Sequence, residues 1–143
     1  MKTTTLVLLL LSGLVVSSCD LITPTEEAPQ VQVVNSSDGL IDHVDVGSVT
    51  FRGPLSDCTG GCSTGFSDVL EGSQPVTVYH TATSIPVSLG SIGPLVAGSR
   101  YAVNIRSISG GYCAELWDRT GNTDPIFNDD TTRVLLSSSC SGS

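Results

Sequence analysis

The run Tyr101-Ala-Val-Asn-Ile-Arg106 decides the fold class of this 143-residue chain. Its large apolar side chains, Tyr101, Val103 and Ile105, stand at every second position. Successive side chains of a β-strand point to opposite faces, so a period of two is typical of a strand with one buried face. The run therefore predicts a half-buried strand, and no window of the chain has a convincing helical period.

The same alternation recurs along the chain. It is found at residues 31–35, 44–46, 49–51, 76–79, 87–89, 112–118 and 132–138. Turn-forming pairs such as Gly-Pro, Gly-Ser and Gly-Gly separate these stretches. The alternation slips by one residue at Gly47, which predicts a bulge or a tight bend there. These features predict an all-β fold, a single antiparallel β-sandwich of about seven strands over residues 31–143.

The N-terminus combines a basic residue, an apolar stretch and a cysteine. Lys2 precedes an apolar segment that includes Leu6 to Leu11, and the segment ends in Val16-Ser-Ser-Cys19. This ending resembles a bacterial lipobox, which implies that residues 1–18 are a lipoprotein signal peptide and that Cys19 is the lipidated residue. The alternative is an ordinary secretory signal that ends near a cysteine. The resemblance implies a partner, the lipid bilayer, and a place in the cell envelope, at the periplasmic face of a membrane or the cell surface, without indicating which membrane.

Residues 19–30 separate the lipidation site from the first strand. They contain Pro24 and Pro29, two glutamates and few side chains that could pack. Prolines so close together disfavour a strand, so we expect a flexible tether that holds the domain off the membrane.

The charge of the chain excludes one class of partner. Removal of residues 1–18 takes away Lys2, the only lysine, and leaves five arginines against 14 acidic side chains. A domain this acidic lacks the basic surface that nucleic acids require. We therefore expect no nucleic-acid partner.

Four cysteines remain once Cys19 is lipidated, an even number that suits an oxidising compartment. Of the three connectivities, we predict Cys58–Cys62, which closes a short loop, and Cys113–Cys140, which ties a late strand to the C-terminus. Cys58 and Cys62 could instead bind a metal, but no second ligand pair accompanies them.

One loop is rich in oxygen ligands. Its carboxylate and amide side chains are Asp118, Asn122, Asp124, Asp129 and Asp130. Calcium prefers such ligands, but their order does not match an EF-hand, and Asp and Asn also initiate turns. A calcium site is thus an alternative to a simple turn-rich loop, and we expect neither a metal nor another cofactor.

The histidines and serines indicate no catalytic motif. Asp42 and His43 are neighbours on a predicted strand, so without a bend they point to opposite faces, and His80 lies on a different strand. No serine stands in Gly-x-Ser-x-Gly. Glu115 shares a strand face with Cys113, and if that face is buried we expect an arginine partner for it.

The body of the chain also resembles small secreted bacterial β-sandwich domains of unknown function. The residues that carry this are Val33-Val-Asn-Ser-Ser37, Ile41, Val44, a cysteine-containing loop, Val69-Leu-Glu-Gly72 and Gly98-Ser-Arg-Tyr-Ala-Val103. Some transthyretin-like modules share the pattern Gly-x-x-Tyr-x-Val at the start of a strand. The resemblance implies an Ig-like or transthyretin-like sandwich and implies no function.

Three functions compete. The prediction is a membrane-anchored envelope lipoprotein that is not an enzyme and that binds an envelope protein or a glycan. The alternatives are a structural accessory subunit of an envelope complex and a small metal-dependent hydrolase. The hydrolase would need His43, His80 and acidic side chains to converge on one pocket.

Overall fold

The computed structural model describes residues 26–55, 62–82, 85–121 and 135–141. Within these ranges the chain forms strands and turns and no helix. The ten strands are β1 (Gln30–Asn35), β2 (Ile41–Val46), β3 (Val49–Leu55), β4 (Cys62–Ser63), β5 (Ser67–Asp68), β6 (Gly72–His80), β7 (Pro86–Leu95), β8 (Arg100–Ile108), β9 (Gly111–Asp118) and β10 (Leu135–Cys140).

The strands form two sheets. The larger has the order β10-β9-β8-β1-β4, with β5 also paired to β1, and the smaller has the order β3-β2-β6-β7. An all-β chain arranged in two sheets confirms the predicted fold class and is consistent with a β-sandwich.

Two details of the predicted sandwich are wrong. The pairing is not purely antiparallel, because β1 runs parallel to β8, with Val31 opposite Tyr101 and Asn35 opposite Ile105. Parallel neighbours need a long connection, and here every strand of the smaller sheet lies between β1 and β8 in the chain. The described strands number ten rather than about seven, and two of the additional strands, β4 and β5, have only two residues each, which is too short to show an alternation.

Strand β8 is buried on both faces, whereas its alternation predicted a half-buried strand. The odd-numbered side chains enter the core, but Ala102 and Asn104 on the outer face are only 0% and 6% exposed. This strand lies inside the larger sheet between β1 and β9, and its outer neighbours Gln32 and Cys113 are buried as well. The alternation identified the core face correctly and did not reveal that the outer face is also covered.

The core fills the space between the two sheets. Its members are Val31, Val33, Ile41, Val44, Val46, Phe51, Leu55, Val69, Val76, Val78, Leu89, Ile92, Leu95, Tyr101, Val103, Ile105, Ala114 and Leu116. Complete burial of one such valine, leucine or isoleucine contributes about 1.5–3 kcal/mol relative to exposure. Both sheets contribute to this set, so burial of apolar area holds them face to face.

The slip at Gly47 is a hairpin turn, which confirms the predicted tight bend. Val46 pairs with Val49, so Gly47 and Ser48 alone connect β2 to β3. The φ angle of Gly47 is +62°, a conformation that glycine adopts at little cost. A Cβ atom at this position would also collide with the Gln74 side chain.

The two ends of strand β1 define two ends of the fold, which we call the proximal pole and the distal pole. At the proximal pole, where β1 begins, Gln30 pairs with Arg100 and Tyr101 pairs with Asp118. At the distal pole, where β1 ends, the Asn35 side chain donates a hydrogen bond to the Leu55 carbonyl. The chain therefore reaches the sandwich at the proximal pole. Among the described residues there is no helix long and apolar enough to cross a membrane.

Candidate functional site

A β-bulge at Asp42 shapes the distal end of the smaller sheet. Ile41 pairs with His80 and His43 pairs with Tyr79, so β2 has one more residue than β6 between these two pairs. A bulge bends the strand and redirects side chains. The expectation that Asp42 and His43 point to opposite faces was conditional on the absence of a bend, and the bulge supplies that bend.

The two bulge residues form a hydrogen-bonded pair. The Oδ2 atom of Asp42 lies 2.6 Å from the Nδ1 atom of His43. A carboxylate only accepts hydrogen bonds, so Nδ1 of His43 carries the proton. In the neutral imidazole, Nε2 of His43 is then a hydrogen-bond acceptor.

Tyr79 packs against His43 across the strand pair. Their ring centroids are 4.0 Å apart and the rings are inclined by 17°, a stacked arrangement. Desolvation of the phenol, and the nearby Asp45 carboxylate that accepts a hydrogen bond from its hydroxyl group, raise the pKa of Tyr79 above its ordinary value of 10.0. Asp45 is itself positioned by the Thr50 hydroxyl group, which donates to Oδ1 over 2.6 Å.

His80 has the opposite tautomer. Its Nδ1 atom accepts a hydrogen bond from the backbone N–H of Ala82 over 3.1 Å, so the proton is on Nε2. The ring lies beside Tyr112 of the larger sheet, with the centroids 6.4 Å apart. Nε2 of His80 and the Tyr112 hydroxyl group lie 2.8 and 2.9 Å from the point that a Cβ atom on Gly39 would occupy. A larger residue at position 39 would therefore displace the ends of these two side chains.

These side chains line one cleft at the distal pole. Its volume is about 260 Å³, and its lining residues are Asp42, His43, Tyr79, His80 and Thr81. The Thr81 hydroxyl group donates to the Leu40 carbonyl over 3.2 Å, which leaves its oxygen lone pairs as acceptors. His43 and His80 thus both line the cleft, but their rings lie on opposite faces of the smaller sheet, because His43 pairs with Tyr79 and His80 pairs with the core residue Ile41.

The acidic loop does not join this cleft. Asp118 ends β9 at the proximal pole, where its Oδ1 atom accepts a hydrogen bond from the Thr120 N–H. Asn122, Asp124, Asp129 and Asp130 lie outside the described residues. No cluster of three or more His, Cys, Asp or Glu within the described ranges could hold a metal ion.

The cysteines are described in part. Cys113 and Cys140 form the predicted disulfide, which joins directly opposed residues of β9 and β10. Cys62 is disulfide-bonded, while Cys58 and Cys19 lie outside the described residues.

The arginine partner that was predicted for Glu115 is Arg106. The Oε1 atom of Glu115 lies 2.8 Å from Nε of Arg106. Oε2 accepts longer hydrogen bonds from the Asn104 amide and the Trp117 indole, at 3.4 and 3.3 Å. Three donors therefore hold this carboxylate on the outer face of the larger sheet, which indicates a structural role.

A second cleft lies at the proximal pole, lined by Glu27, Ala28, Gln30, Asp68 and Arg100. Its polar groups bond mainly to one another. Arg100 Nε donates to Gln30 Oε1 over 2.9 Å, and the Gln30 amide donates to Asp68. The Arg100 guanidinium also lies over the ring of Phe66. Because these groups already satisfy each other, the distal cleft is the stronger candidate site.

Sequence reasoning missed the convergence at the distal cleft, although one signal of it was present. The buried residues Ile41 and Val44 are three positions apart, whereas Val44 and Val46 are two apart. A spacing of three within a strand marks an extra residue, as the slip at Gly47 did. No such signal identified Tyr79 or Thr81 as neighbours of the bulge, because their position depends on the pairing of β2 with β6. No protein-family model, curated protein or solved structure matches this chain.

Proposed function

We propose that this protein is a lipid-anchored module of a bacterial cell envelope that binds a ligand in the distal cleft without catalysing a reaction. The observation that carries the proposal is the bulge at Asp42, which groups Asp42, His43 and Tyr79 with His80 around one open cleft. Clefts with a few convergent polar groups are the usual sites of ligand binding.

The position of the cleft suits an anchored module. With Cys19 acylated, residues 19–30 would reach the sandwich at the proximal pole, and the cleft would face away from the bilayer. Strand β1 has six residues and spans the distance between the poles. At about 3.3 Å per residue, this strand alone separates the two poles by about 20 Å. An Ig-like or transthyretin-like topology for the sandwich is part of the same proposal.

The chemistry of the cleft favours binding over catalysis. Covalent hydrolysis needs a nucleophile beside its base, and the lining residues that could serve are Thr81 and Tyr79. Thr81 donates its proton to the Leu40 carbonyl, and the Tyr79 hydroxyl group is bonded to Asp45. Both hydroxyl groups thus have partners other than an imidazole.

Hydrogen–deuterium exchange of the full chain in detergent tests the proposal. On addition of an extract of cell-envelope components, we expect slower amide exchange at residues 41–44 and 78–82, because a ligand would cover the bulge and the end of β6. Residues 66–68 and 98–101 at the proximal pole serve as the internal control and should be unchanged. Protection confined to the proximal pole, or none at either pole, contradicts the proposal.

One observation favours a second candidate, a small hydrolase. The 2.6 Å contact between Asp42 and His43 orients the imidazole as a carboxylate orients a general base. Esterase, glycosidase and peptidase assays on the purified chain separate the two candidates. An activity that survives purification and disappears in His43→Ala would establish the hydrolase, and we expect none.

A further inference from the structure

We infer that the proximal pole of this domain docks on the surface of the bilayer through a patch of exposed apolar side chains. This proximal patch consists of Leu70, Val96, Leu135 and Leu136. The docking rests on the anchoring at Cys19 that the proposed function includes. It goes beyond that anchoring, because a tether alone would leave the domain free to turn relative to the membrane.

Exposed apolar side chains are concentrated at the proximal pole. Six large apolar side chains are exposed among the described residues, and two of them, Leu40 before β2 and Ile85 before β7, lie at the distal pole. The other four form the proximal patch, with exposed fractions between 45% and 67%. Apolar groups collected in one area of a surface mark a site of contact with a protein or a membrane, whereas single ones do not.

Leu70 and Val96 flank the terminal pair of the β6–β7 ladder. Gly72 at the start of β6 is paired with Leu95 at the end of β7. Leu70 and Val96 lie just beyond this pair, one on each strand. The pairing of β6 with β7 thus brings two members of the patch to the same place.

The start of β10 lies beside the same end of β7. The Gly93 N–H donates a hydrogen bond to the Ser137 hydroxyl group over 3.2 Å, so the two edge strands are in contact. A Cβ atom on Gly90 would collide with the Ser139 hydroxyl group, so β7 and β10 pass each other in opposite directions. The two exposed leucines that begin β10 therefore adjoin the end of β7 and complete the patch.

Trp117 stands at the border of the patch. It is paired with Leu135 in the β9–β10 ladder, is half-buried, and donates its indole N–H to Oε2 of Glu115 over 3.3 Å. A large apolar ring with one polar edge is typical of the boundary between water and lipid. Trp117 is also the only tryptophan of the chain, so tryptophan fluorescence reports the surroundings of the patch.

The N-terminal segment enters the domain beside the patch. The Glu27 carbonyl accepts a hydrogen bond from the Gly98 N–H over 2.6 Å, and the Pro29 carbonyl accepts one from the Val69 N–H over 2.9 Å. Each of these donors is within two positions of a patch residue. Cys19 is eight positions before Glu27, a length of chain that spans at most about 30 Å when fully extended. An acylated Cys19 would therefore keep the patch close to the lipid.

The charges of this pole favour apolar contact over electrostatic attraction. Its exposed side chains include four carboxylates, Glu27, Asp68, Glu71 and Asp118, and one guanidinium, Arg100. Anionic lipid would repel such a surface, whereas zwitterionic lipid would not. A second copy of the chain would bring the same carboxylates together, so the charges favour a bilayer over self-association as the partner of the patch.

Fluorescence of the protein purified from membranes and reconstituted in phosphatidylcholine vesicles tests the docking. Flotation of the protein with the vesicles measures anchoring, and quenching of Trp117 by lipids brominated on their acyl chains measures docking. The indole of a docked domain would lie at the boundary between headgroups and acyl chains, so its emission should be roughly twofold lower in brominated than in unbrominated vesicles. Addition of phosphatidylglycerol should weaken the quenching, because its charge repels the carboxylates of this pole.

Two matched double variants localise the contact. Leu135→Ser with Leu136→Ser changes the patch, and Leu40→Ser with Ile85→Ser makes the same exchange at the distal pole. All four side chains are exposed, so both proteins should fold. We expect the patch variant to lose most of the quenching and the distal variant to keep it. Val96→Ser, on a different strand of the patch, should also reduce the quenching.

The results separate docking from anchoring. Flotation without quenching overturns the docking and leaves the anchor in place, whereas a protein that does not float refutes the anchor and the docking together. Equal quenching in the two double variants overturns the assignment of the patch. Absence of quenching, combined with self-association in analytical ultracentrifugation that the patch variant abolishes, would assign the patch to a second copy of the chain and overturn the docking as well.

Discussion

The Asp42 carboxylate lies 2.6 Å from the imidazole of His43, its neighbour in the chain. In a regular strand these two side chains would stand on opposite faces. The bulge between the Ile41–His80 and His43–Tyr79 pairs brings them together, and it thereby determines which nitrogen of His43 is protonated. A single extra residue in β2 thus sets the chemistry of the distal cleft.

The first prediction concerns the histidine tautomers. In the neutral imidazoles we expect the proton on Nδ1 of His43 and on Nε2 of His80, because Asp42 accepts from the one and Ala82 donates to the other. Long-range ¹H–¹⁵N correlation spectra report the tautomer directly. Asp42→Ala should shift His43 toward the Nε2–H form and leave His80 unchanged. A His43 tautomer that does not respond to this substitution would contradict the assigned pair.

The second prediction concerns the ionisation of Tyr79. Desolvation and the Asp45 carboxylate raise its pKa, so the folded state holds the phenol proton more tightly than the unfolded state does. The protonated phenol therefore adds to the free energy of unfolding below about pH 10, and this contribution is lost as the pH rises through the raised pKa of Tyr79. Asp45→Asn should lower this pKa toward its ordinary value, as measured by NMR of ¹³Cζ-labelled tyrosine. Asp68→Asn, at the proximal pole, is the control and should leave the pKa of Tyr79 unchanged.

The third prediction concerns the disulfide between Cys113 and Cys140. The cysteines are 27 positions apart, and closing a loop of this size stabilises the fold by about 3–4 kcal/mol in the chain-entropy model. Urea unfolding of the Cys113→Ala, Cys140→Ala double variant should show a loss of this order. Peptide mapping without reduction should recover Cys113 linked to Cys140. A map that joins Cys58 to Cys113 would mean that the pairing of β9 with β10 is wrong.

The fourth prediction compares two isoleucines of different burial. Ile105 is 0% exposed in the core, and Ile85 is 65% exposed ahead of β7. Ile105→Ala should reduce the free energy of unfolding by about 2–5 kcal/mol, because it removes buried methyl groups and leaves a cavity. Ile85→Ala should change it by about 0.5 kcal/mol or less. Equal losses in the two variants, measured by urea unfolding, would place Ile105 outside the core.

The fifth prediction concerns Cys19, which lies outside the described residues. If the lipobox resemblance is correct, cells grown with a labelled fatty acid should label the unmodified protein. Cys19→Ser should abolish the label and leave an uncleaved precursor, because the thiol carries the lipid. Cys140→Ser removes a different cysteine and should keep the label. Labelling of Cys19→Ser at the normal level would refute the anchor.

The sequence predicted the fold class through local patterns. The alternation around Val103 and the slip at Gly47 each depend on residues a few positions apart, and the core face of β8 and the β2–β3 hairpin follow from them. The arginine partner of Glu115 was predictable for a similar reason, since a carboxylate on a buried face needs a donor. Four cysteines allow three connectivities, and the Cys113–Cys140 disulfide occurs in only one of them. This disulfide agrees with the β9–β10 register, in which the two cysteines stand opposite each other.

By itself, then, the sequence determined that the chain forms strands, where several of them turn, and which side chains of β8 enter the core. Only the tertiary structure decided that β1 lies parallel to β8, which residues of β6 stand opposite the extra residue in β2, and that His43 and His80 line one cleft. The physical reason is the range of the interactions. Alternation reports the two faces of one strand, whereas the register between strands distant in sequence depends on how both sheets bury their apolar side chains together.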